Sequence, residues 1–148
     1  MLTLMHPMST TQHDFYEALG LSAKTLINAA DFIRLVRSGV SGEVIQRAIE
    51  VLDNRDLFVR ILDTTSSNLS RYYRVKKLSR ADSEETLNTL RLYGKAVNVF
   101  GNLEKAKEWI RTPAPALAGE RPEALFDTFE GREWVSQVLR KIEYGEFT

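Results

Sequence analysis

The chain has 148 residues, 43% of them hydrophobic, and its 20 Lys and Arg side chains balance 20 Asp and Glu side chains. A chain of this size and composition forms one globular domain or two small modules, which excludes a large multidomain enzyme, and zero net charge argues against a general polyanion binder. The sequence contains no Cys, which excludes disulfides, thiolate metal ligands and a Cys nucleophile.

The N-terminal apolar run, residues 1–8, is short, interrupted and without basic residues. It predicts neither a signal peptide nor a membrane span, so we expect a cytoplasmic protein with no membrane partner. Residues 1–21 as a whole show no sustained hydrophobic period, which predicts a loose N-terminal arm.

Helical spacing of apolar residues begins after Ser22, with Asn28 or Thr25 and then Ser41 suited to cap helix starts. The apolar runs 57–62 and 72–75 could also form strands, but their neighbours are helical and the sequence contains no Asn-Gly or Asp-Gly hairpin signal. We therefore predict an all-α fold. Its helices are expected at about 29–38, 42–53, 56–62, 83–99, 103–111, 122–126 and 130–142, with a structured loop at 112–121.

The charge of the chain is segregated. Residues 60–81 hold six basic side chains and one acidic side chain, whereas the other stretches are mildly acidic.

Around this basic stretch the sequence predicts a helix, then a short turn at Asp63 and Thr64, and then a second, basic helix over 66–75 with Thr65 as its N-cap. This order is typical of a helix-turn-helix, in which the second helix lies in the DNA major groove, and Leu69 and Tyr73 would face the core.

Polar and basic side chains of this segment are the predicted DNA contacts. Short hydroxyls suit base edges or phosphates, and Arg71 suits a bidentate contact to guanine. The alternative is a purely structural helix with a solvated basic face, on which Tyr72 and Tyr73 are core aromatics. The predicted DNA-binding residues are Ser66, Ser67, Asn68, Ser70, Arg71, Arg74, Lys76 and Lys77.

No pattern in the chain is typical of an active site. Both His residues, His6 and His13, lie in the predicted arm, and the eight Gly residues are isolated. Carboxylate pairs such as Glu84 with Glu85 are common on helix surfaces. We therefore expect no enzyme activity, no metal site and no cofactor.

The C-terminal half contains residues that end helices and form loops, such as Gly and Pro, in a specific order. It comprises the stretches 100–113 (FGNLEKAKEWIRTP), 116–122 (ALAGERP) and 142–145 (IEYG), with Gly131 and Val135 between them. Upstream, 33–40 (IRLVRSGV) and 77–83 (KLSRADS) extend the pattern. Over about residues 30–147 the chain resembles the Xre/MbcA/ParS-like antitoxins of RES–Xre type II toxin–antitoxin modules.

This resemblance implies an antitoxin that binds an NAD-consuming, RES-type toxin, occludes its active-site cleft, forms a homodimer and represses its own operon by binding operator DNA. It implies a loose arm (1–21), a helical dimerisation and helix-turn-helix region (22–100) and a helical toxin-binding domain (101–148). The helices at 29–36 and 83–99 are the two possible dimer contacts. The alternative is a free-standing helix-turn-helix transcription regulator whose C-terminal half serves dimerisation or sensing.

Two roles are expected within the C-terminal domain. Trp109, Pro113, Leu117, Gly119 and Pro122 are predicted to hold the loop and its packing. Aromatic residues exposed at a terminus are typical interface anchors, which favours the last helix and tail for toxin contact, although Tyr144 and Phe147 could instead fold back onto the core. The predicted toxin-binding residues are Arg140, Lys141, Glu143, Tyr144, Glu146 and Phe147.

Overall fold

A computed structural model describes residues 8–145 of the chain, and within this range it contains helices and no strand. The all-α prediction is therefore confirmed. The α-helices are α1 (Thr10–Ala18), α2 (Ala23–Ile27), α3 (Ala29–Ser38), α4 (Glu43–Leu52), α5 (Arg55–Ile61), α6 (Arg80–Phe100), α7 (Leu103–Ile110) and α8 (Phe129–Glu143). Short 3-10 helices lie at Leu69–Arg74, Pro115–Leu117 and Pro122–Leu125.

Polar side chains cap most of the helix starts. The carboxamide oxygens of Asn28, Asn54 and Asn102 accept a hydrogen bond from the backbone N–H three residues further on, at 3.0, 3.2 and 2.8 Å. The hydroxyls of Ser79 and Thr128 do the same at the starts of α6 and α8. Each cap satisfies a donor that a helix leaves unpaired, and together they explain why the helices begin where they do.

The longest helix, α6, is the centre of the fold. It has 21 residues, and α1, α3, α5, α7 and α8 all pack against it. Leu87, Leu90 and Ala96 on α6 are fully buried. Tyr93 of α6 meets Phe126 edge-on with ring centroids 5.5 Å apart, so the C-terminal loop shares one core with the N-terminal helices. No helix within residues 8–145 has the length and apolar composition required to cross a membrane.

The predicted loose arm is wrong over most of the described part of residues 1–21, because Thr10–Ala18 form α1. The Ser9 hydroxyl caps this helix, and Phe15, Tyr16 and Leu19 are buried. Tyr16 packs directly on α6, where a Cβ added to Gly94 would overlap the phenol. The apolar residues are too few to give a sustained period, but the i, i+1, i+4 spacing of Phe15, Tyr16 and Leu19 buries one face of a short helix. Residues 1–7 lie outside the described range.

The other predicted helices agree with the structure within three residues at either end, except those predicted at 66–75 and 122–126, which are 3-10 helices. The short helix α2 has no counterpart in the prediction, and Pro122 begins a 3-10 helix of four residues. Ser41 lies at the predicted helix start, where its Oγ accepts a hydrogen bond from the Glu43 N–H at 3.2 Å. The loop at 112–121 is structured as predicted, since the Ala114 N–H donates to the Glu120 carbonyl at 3.0 Å.

Candidate functional site

The turn after α5 lies at the predicted position. Asp63 adopts a left-handed conformation (φ 50°), which Asp tolerates better than most residues. The Thr65 hydroxyl accepts a hydrogen bond from the Asn68 N–H at 3.3 Å, so Thr65 is the polar cap expected after the turn. The chain therefore turns sharply between α5 and the basic segment.

The element after this turn is not the predicted α-helix over 66–75. It is a 3-10 helix of six residues, Leu69–Arg74, and Val75 is already extended (ψ 124°). Contacts at both ends of the segment account for the difference, because the Ser66 carbonyl accepts from Arg55 Nη2 at 2.6 Å and the Val75 carbonyl accepts from the Gly42 N–H at 2.8 Å. With three residues per turn, Arg71 and Arg74 lie on the same face and Leu69 and Tyr72 on another.

The predicted DNA-binding residues lie at the surface. Leu69 is fully buried, as predicted, whereas Tyr73 is half-buried and its hydroxyl accepts a hydrogen bond from Arg55 Nη1 at 3.3 Å. Arg55 also donates to the Ser66 carbonyl at 2.6 Å and so ties α5 to the start of the segment. Asn68 is half-buried, and the exposed members of the set are Ser66, Ser67, Ser70, Arg71, Arg74, Lys76 and Lys77.

The basic segment is docked on the start of α4 at Gly42. The Gly42 N–H donates to the Val75 carbonyl at 2.8 Å, and the Leu78 N–H donates to the Val40 carbonyl at the same distance. A Cβ at Gly42 would overlap the Tyr72 carbonyl oxygen. The backbone of α4 therefore holds the basic segment at a distance that only Gly allows.

The loop residues named from the sequence divide into buried and exposed ones. Leu117 is fully buried and Pro122 is buried, whereas Pro113 is exposed. Gly119 has φ 81°, a conformation that side chains resist, and a Cβ there would meet no atom within 4 Å. Trp109 is half-buried and packs on Phe100 with ring centroids 5.4 Å apart, so it covers the core without entering it.

Four of the six residues predicted to contact a toxin lie within the described range, and all four are exposed. They are Arg140, Lys141 and Glu143 at the end of α8, and Tyr144 after it. Half of the Tyr144 surface (51%) is exposed, so this aromatic residue does not fold into the core. Glu146 and Phe147 lie outside the described residues.

Arg140, Glu143 and Tyr144 line a groove that runs between three parts of the fold. Its volume is about 440 Å³. The floor is α6, one wall is α8, and the other wall comes from α1, α2 and Met8, which lies two residues before α1. The lining residues outside α8 and Tyr144 are Met8, Gln12, Tyr16, Leu26, Ile27, Arg91, Lys95, Asn98 and Val99.

Positive charge is concentrated in this groove, which is lined by three basic side chains and one carboxylate. Lys95 Nζ donates to Ser136 Oγ at 2.8 Å, which links the floor to the α8 wall. Desolvation in the groove, together with repulsion from Arg140 and Arg91, holds the pKa of Lys95 below its ordinary value. Desolvation also lowers the pKa of Arg91, whose guanidinium carbon lies 3.8 Å from the centre of the Phe32 ring.

Comparison with known proteins identifies the family. Residues 95–145 match the family described as the antitoxin Xre/MbcA/ParS C-terminal toxin-binding domain. A protein of Sphingobium sp. (strain YBL2) named Prs ADP-ribosylating antitoxin is 30% identical over 128 residues, which are 79% of this chain and 80% of the relative. The chain belongs to the Xre/MbcA/ParS antitoxin family. This antitoxin is also similar to Antitoxin Xre of Photorhabdus laumondii subsp. laumondii, at 30% identity over 70 residues, 47% of each chain.

The matched toxin-binding domain supplies only part of the groove. It covers the end of α6 from Lys95, then α7, the loops and α8. The wall formed by Gln12, Tyr16 and Ile27 lies outside the match, as does Arg91 on the floor. The sequence pattern predicts a loose arm over residues 1–21 and therefore does not predict this wall. The spacing of Phe15, Tyr16 and Leu19 was the signal that could have revealed it.

The described residues contain no group of three or more His, Asp or Glu side chains placed to hold a metal ion. The polar groups of the groove hydrogen-bond to one another: Gln12 Nε2 donates to the Tyr16 hydroxyl at 3.4 Å, and Asn98 Nδ2 donates to Glu143 Oε2 at 3.5 Å. This arrangement is suited to bind a partner by shape and charge.

Proposed function

We propose that this antitoxin neutralises a RES-type toxin by binding it with α8 and the residues that follow. The observation that carries the proposal is the match of residues 95–145 to a toxin-binding domain, since Arg140, Lys141, Glu143 and Tyr144 are the exposed end of that region. A large aromatic residue beside mixed charges is typical of an interface anchor. Glu146 and Phe147 belong to the same proposed contact.

The proposed mechanism is occlusion of the toxin's active-site cleft, without chemistry on this chain. The name of the Sphingobium relative joins the words antitoxin and ADP-ribosylating, and ADP-ribosyl groups are ordinarily drawn from NAD. This supports an NAD-consuming toxin as the partner. The end of α8 and the residue after it present charges of both signs, from Lys141 and Glu143, and the aromatic ring of Tyr144 to a cleft built for a dinucleotide.

Co-expression with the toxin from the neighbouring reading frame tests this proposal. We expect the full chain to co-purify with the toxin and to restore growth, and we expect deletion of residues 143–148 to abolish both effects. The deletion begins at the last residue of α8 and removes no buried residue from the described range, so the melting temperature should be retained. Growth rescue by the truncated chain would exclude the tail as the neutralising element.

A second function, repression of its own operon, is proposed for the basic segment. It is supported by the six basic side chains of residues 60–81 and by the shared face of Arg71 and Arg74. Local positive charge is sufficient for phosphate contacts even in a neutral protein. The antitoxin would then bind operator DNA as a homodimer, because helix-turn-helix proteins usually match the two-fold symmetry of their operators.

For the homodimer, α3 is the better of the two helices considered. Ile33 on α3 is 46% exposed, whereas the apolar residues of α6 are mostly covered by other helices of the same chain. We propose that α3 contributes the dimer contact and that the protein acts in the cytoplasm. Light scattering of Ile33→Asp should give the monomer mass, and a retained dimer would assign the contact elsewhere.

A further inference from the structure

The groove between α8, α6 and the N-terminal helices is lined by residues both inside and outside the matched toxin-binding domain. Lys95, Ser136, Arg140 and Glu143 come from that domain. Gln12, Tyr16 and Leu26 are buried in the opposite wall, where the Tyr16 hydroxyl donates to the Arg91 carbonyl at 3.3 Å. The groove is therefore continuous with the toxin-binding domain but incomplete without α1 and α2.

The charges of the groove favour an acidic occupant. Arg91, Lys95 and Arg140 line the same groove, and after desolvation by burial the repulsion from Arg140 and Arg91 is the next cause of the lowered pKa of Lys95. Glu143 is the only carboxylate among the described residues that line this groove, and the carboxylate of Glu133, beside the neighbouring cavity, also acts on Lys95. An acidic side chain placed between the three cations would relieve this repulsion and gain charge-assisted hydrogen bonds.

The rim of the groove favours an apolar contact beside the acidic one. Ile27 ends α2 at the mouth of the groove, and 52% of its surface is exposed. Val99 is half-buried on the floor nearby. Ile27 and the equally exposed Tyr144 line the same groove, and two such apolar surfaces are suited to bury an apolar side chain of a partner.

We propose that α1 and α2 complete the toxin-binding surface of this antitoxin, and that the groove takes an acidic segment of the toxin whose apolar side chain packs on Ile27. This inference rests on the proposed function, because it takes the toxin as the occupant. The continuity of the groove with the toxin-binding domain favours the toxin over a second copy of this chain.

The test measures the affinity of the purified antitoxin for its co-encoded toxin with Lys95→Glu and Ile27→Asp. Both residues are exposed, so the variants should fold. Each should weaken toxin binding about tenfold or more, since a repelled charge or a buried carboxylate opposes association. The matched controls are Lys76→Glu and Val75→Asp, which are exposed and lie outside both the groove and the matched toxin-binding domain, and both should bind within about twofold of the wild-type chain.

Each outcome decides between the proposals. If the wild-type antitoxin binds the toxin and the two groove variants bind equally well, the inference is overturned while the proposed function stands. If the wild-type chain does not bind the toxin, the proposed function fails and the inference fails with it. A variant whose melting temperature falls is replaced by Lys95→Gln or Ile27→Ser. If the groove variants change the mass of the free antitoxin and leave toxin affinity unaltered, the groove is a self-association surface and the inference is wrong.

Discussion

Arg132 of α8 and Glu85 of α6 form a bidentate ion pair, with Nη1 to Oε1 at 2.9 Å and Nη2 to Oε2 at 3.3 Å. Arg132 Nη1 also donates to the Phe126 carbonyl at 2.8 Å, and only 10% of the Arg132 side chain is exposed. The pair fixes the start of α8 on the central helix. The orientation of α8 in turn sets the groove wall that carries Arg140 and Glu143.

Glu85→Ala should destabilise the protein by about 2–3 kcal/mol, because it leaves the guanidinium of Arg132 partly unpaired in a buried position. Glu84→Ala is the matched control, since Glu84 is the exposed neighbour on the same helix. Its effect should stay within about 0.5 kcal/mol. Urea unfolding of the two variants measures the difference, and equal midpoints would contradict a structural role for the pair.

Gly42→Ala should cost about 3 kcal/mol or more, or displace the basic segment from α4. Gly42 has ordinary helical angles (φ −62°, ψ −18°), so the cost arises from the overlap of the new Cβ with the Tyr72 carbonyl and not from backbone strain. Gly101→Ala shows the opposite case, with φ 91° and open space around the Cβ. It should cost only about 1–2 kcal/mol. Thermal unfolding measures the melting temperatures of both variants. A lower melting temperature for Gly101→Ala than for Gly42→Ala would contradict the close contact at Gly42.

Two of the five tyrosines should ionise only at strongly alkaline pH. Burial raises the pKa of Tyr16 and of Tyr93 to about 12, above the unfolded-state value of about 10. Their neutral phenols therefore contribute stability that is fully present below about pH 10 and is lost as the pH rises towards 12. Absorbance at 295 nm follows this ionisation. Tyr16→Phe and Tyr93→Phe should each remove one equivalent from the late step, and an unchanged late step in either variant would show that the residue is not among the buried pair.

Arg71→Ala should weaken binding to operator DNA by about 1–3 kcal/mol if Arg71 reads a base. The melting temperature should not change, because Arg71 is exposed. Lys105→Ala, which removes an exposed charge from α7, is the control and should leave DNA affinity nearly unaltered. Gel-shift titrations at constant salt measure both, and an unaltered midpoint for Arg71→Ala would exclude Arg71 as a base reader.

Local sequence signals predicted most of the helices because their causes are local. Asn28 and Asn102 cap helices through their own side chains, and Gly39 and Gly101 end α3 and α6 in conformations that favour glycine. The 3-10 helix Leu69–Arg74 escaped prediction because its apolar spacing also fits an α-helix. Its form depends on longer-range contacts, since Arg55 binds the Ser66 carbonyl and Gly42 binds the Val75 carbonyl.

By itself, the sequence determined the all-α class, the basic segment and the family resemblance, since composition, spacing and motif order are properties of the chain. Only the tertiary structure decided that α1 is a packed helix and that its Tyr16, Lys95 of α6 and Arg140 of α8 share one groove. The positions of these residues in the chain are up to 124 residues apart. No local propensity encodes such a meeting, because it results from the packing of three helix faces around a common core.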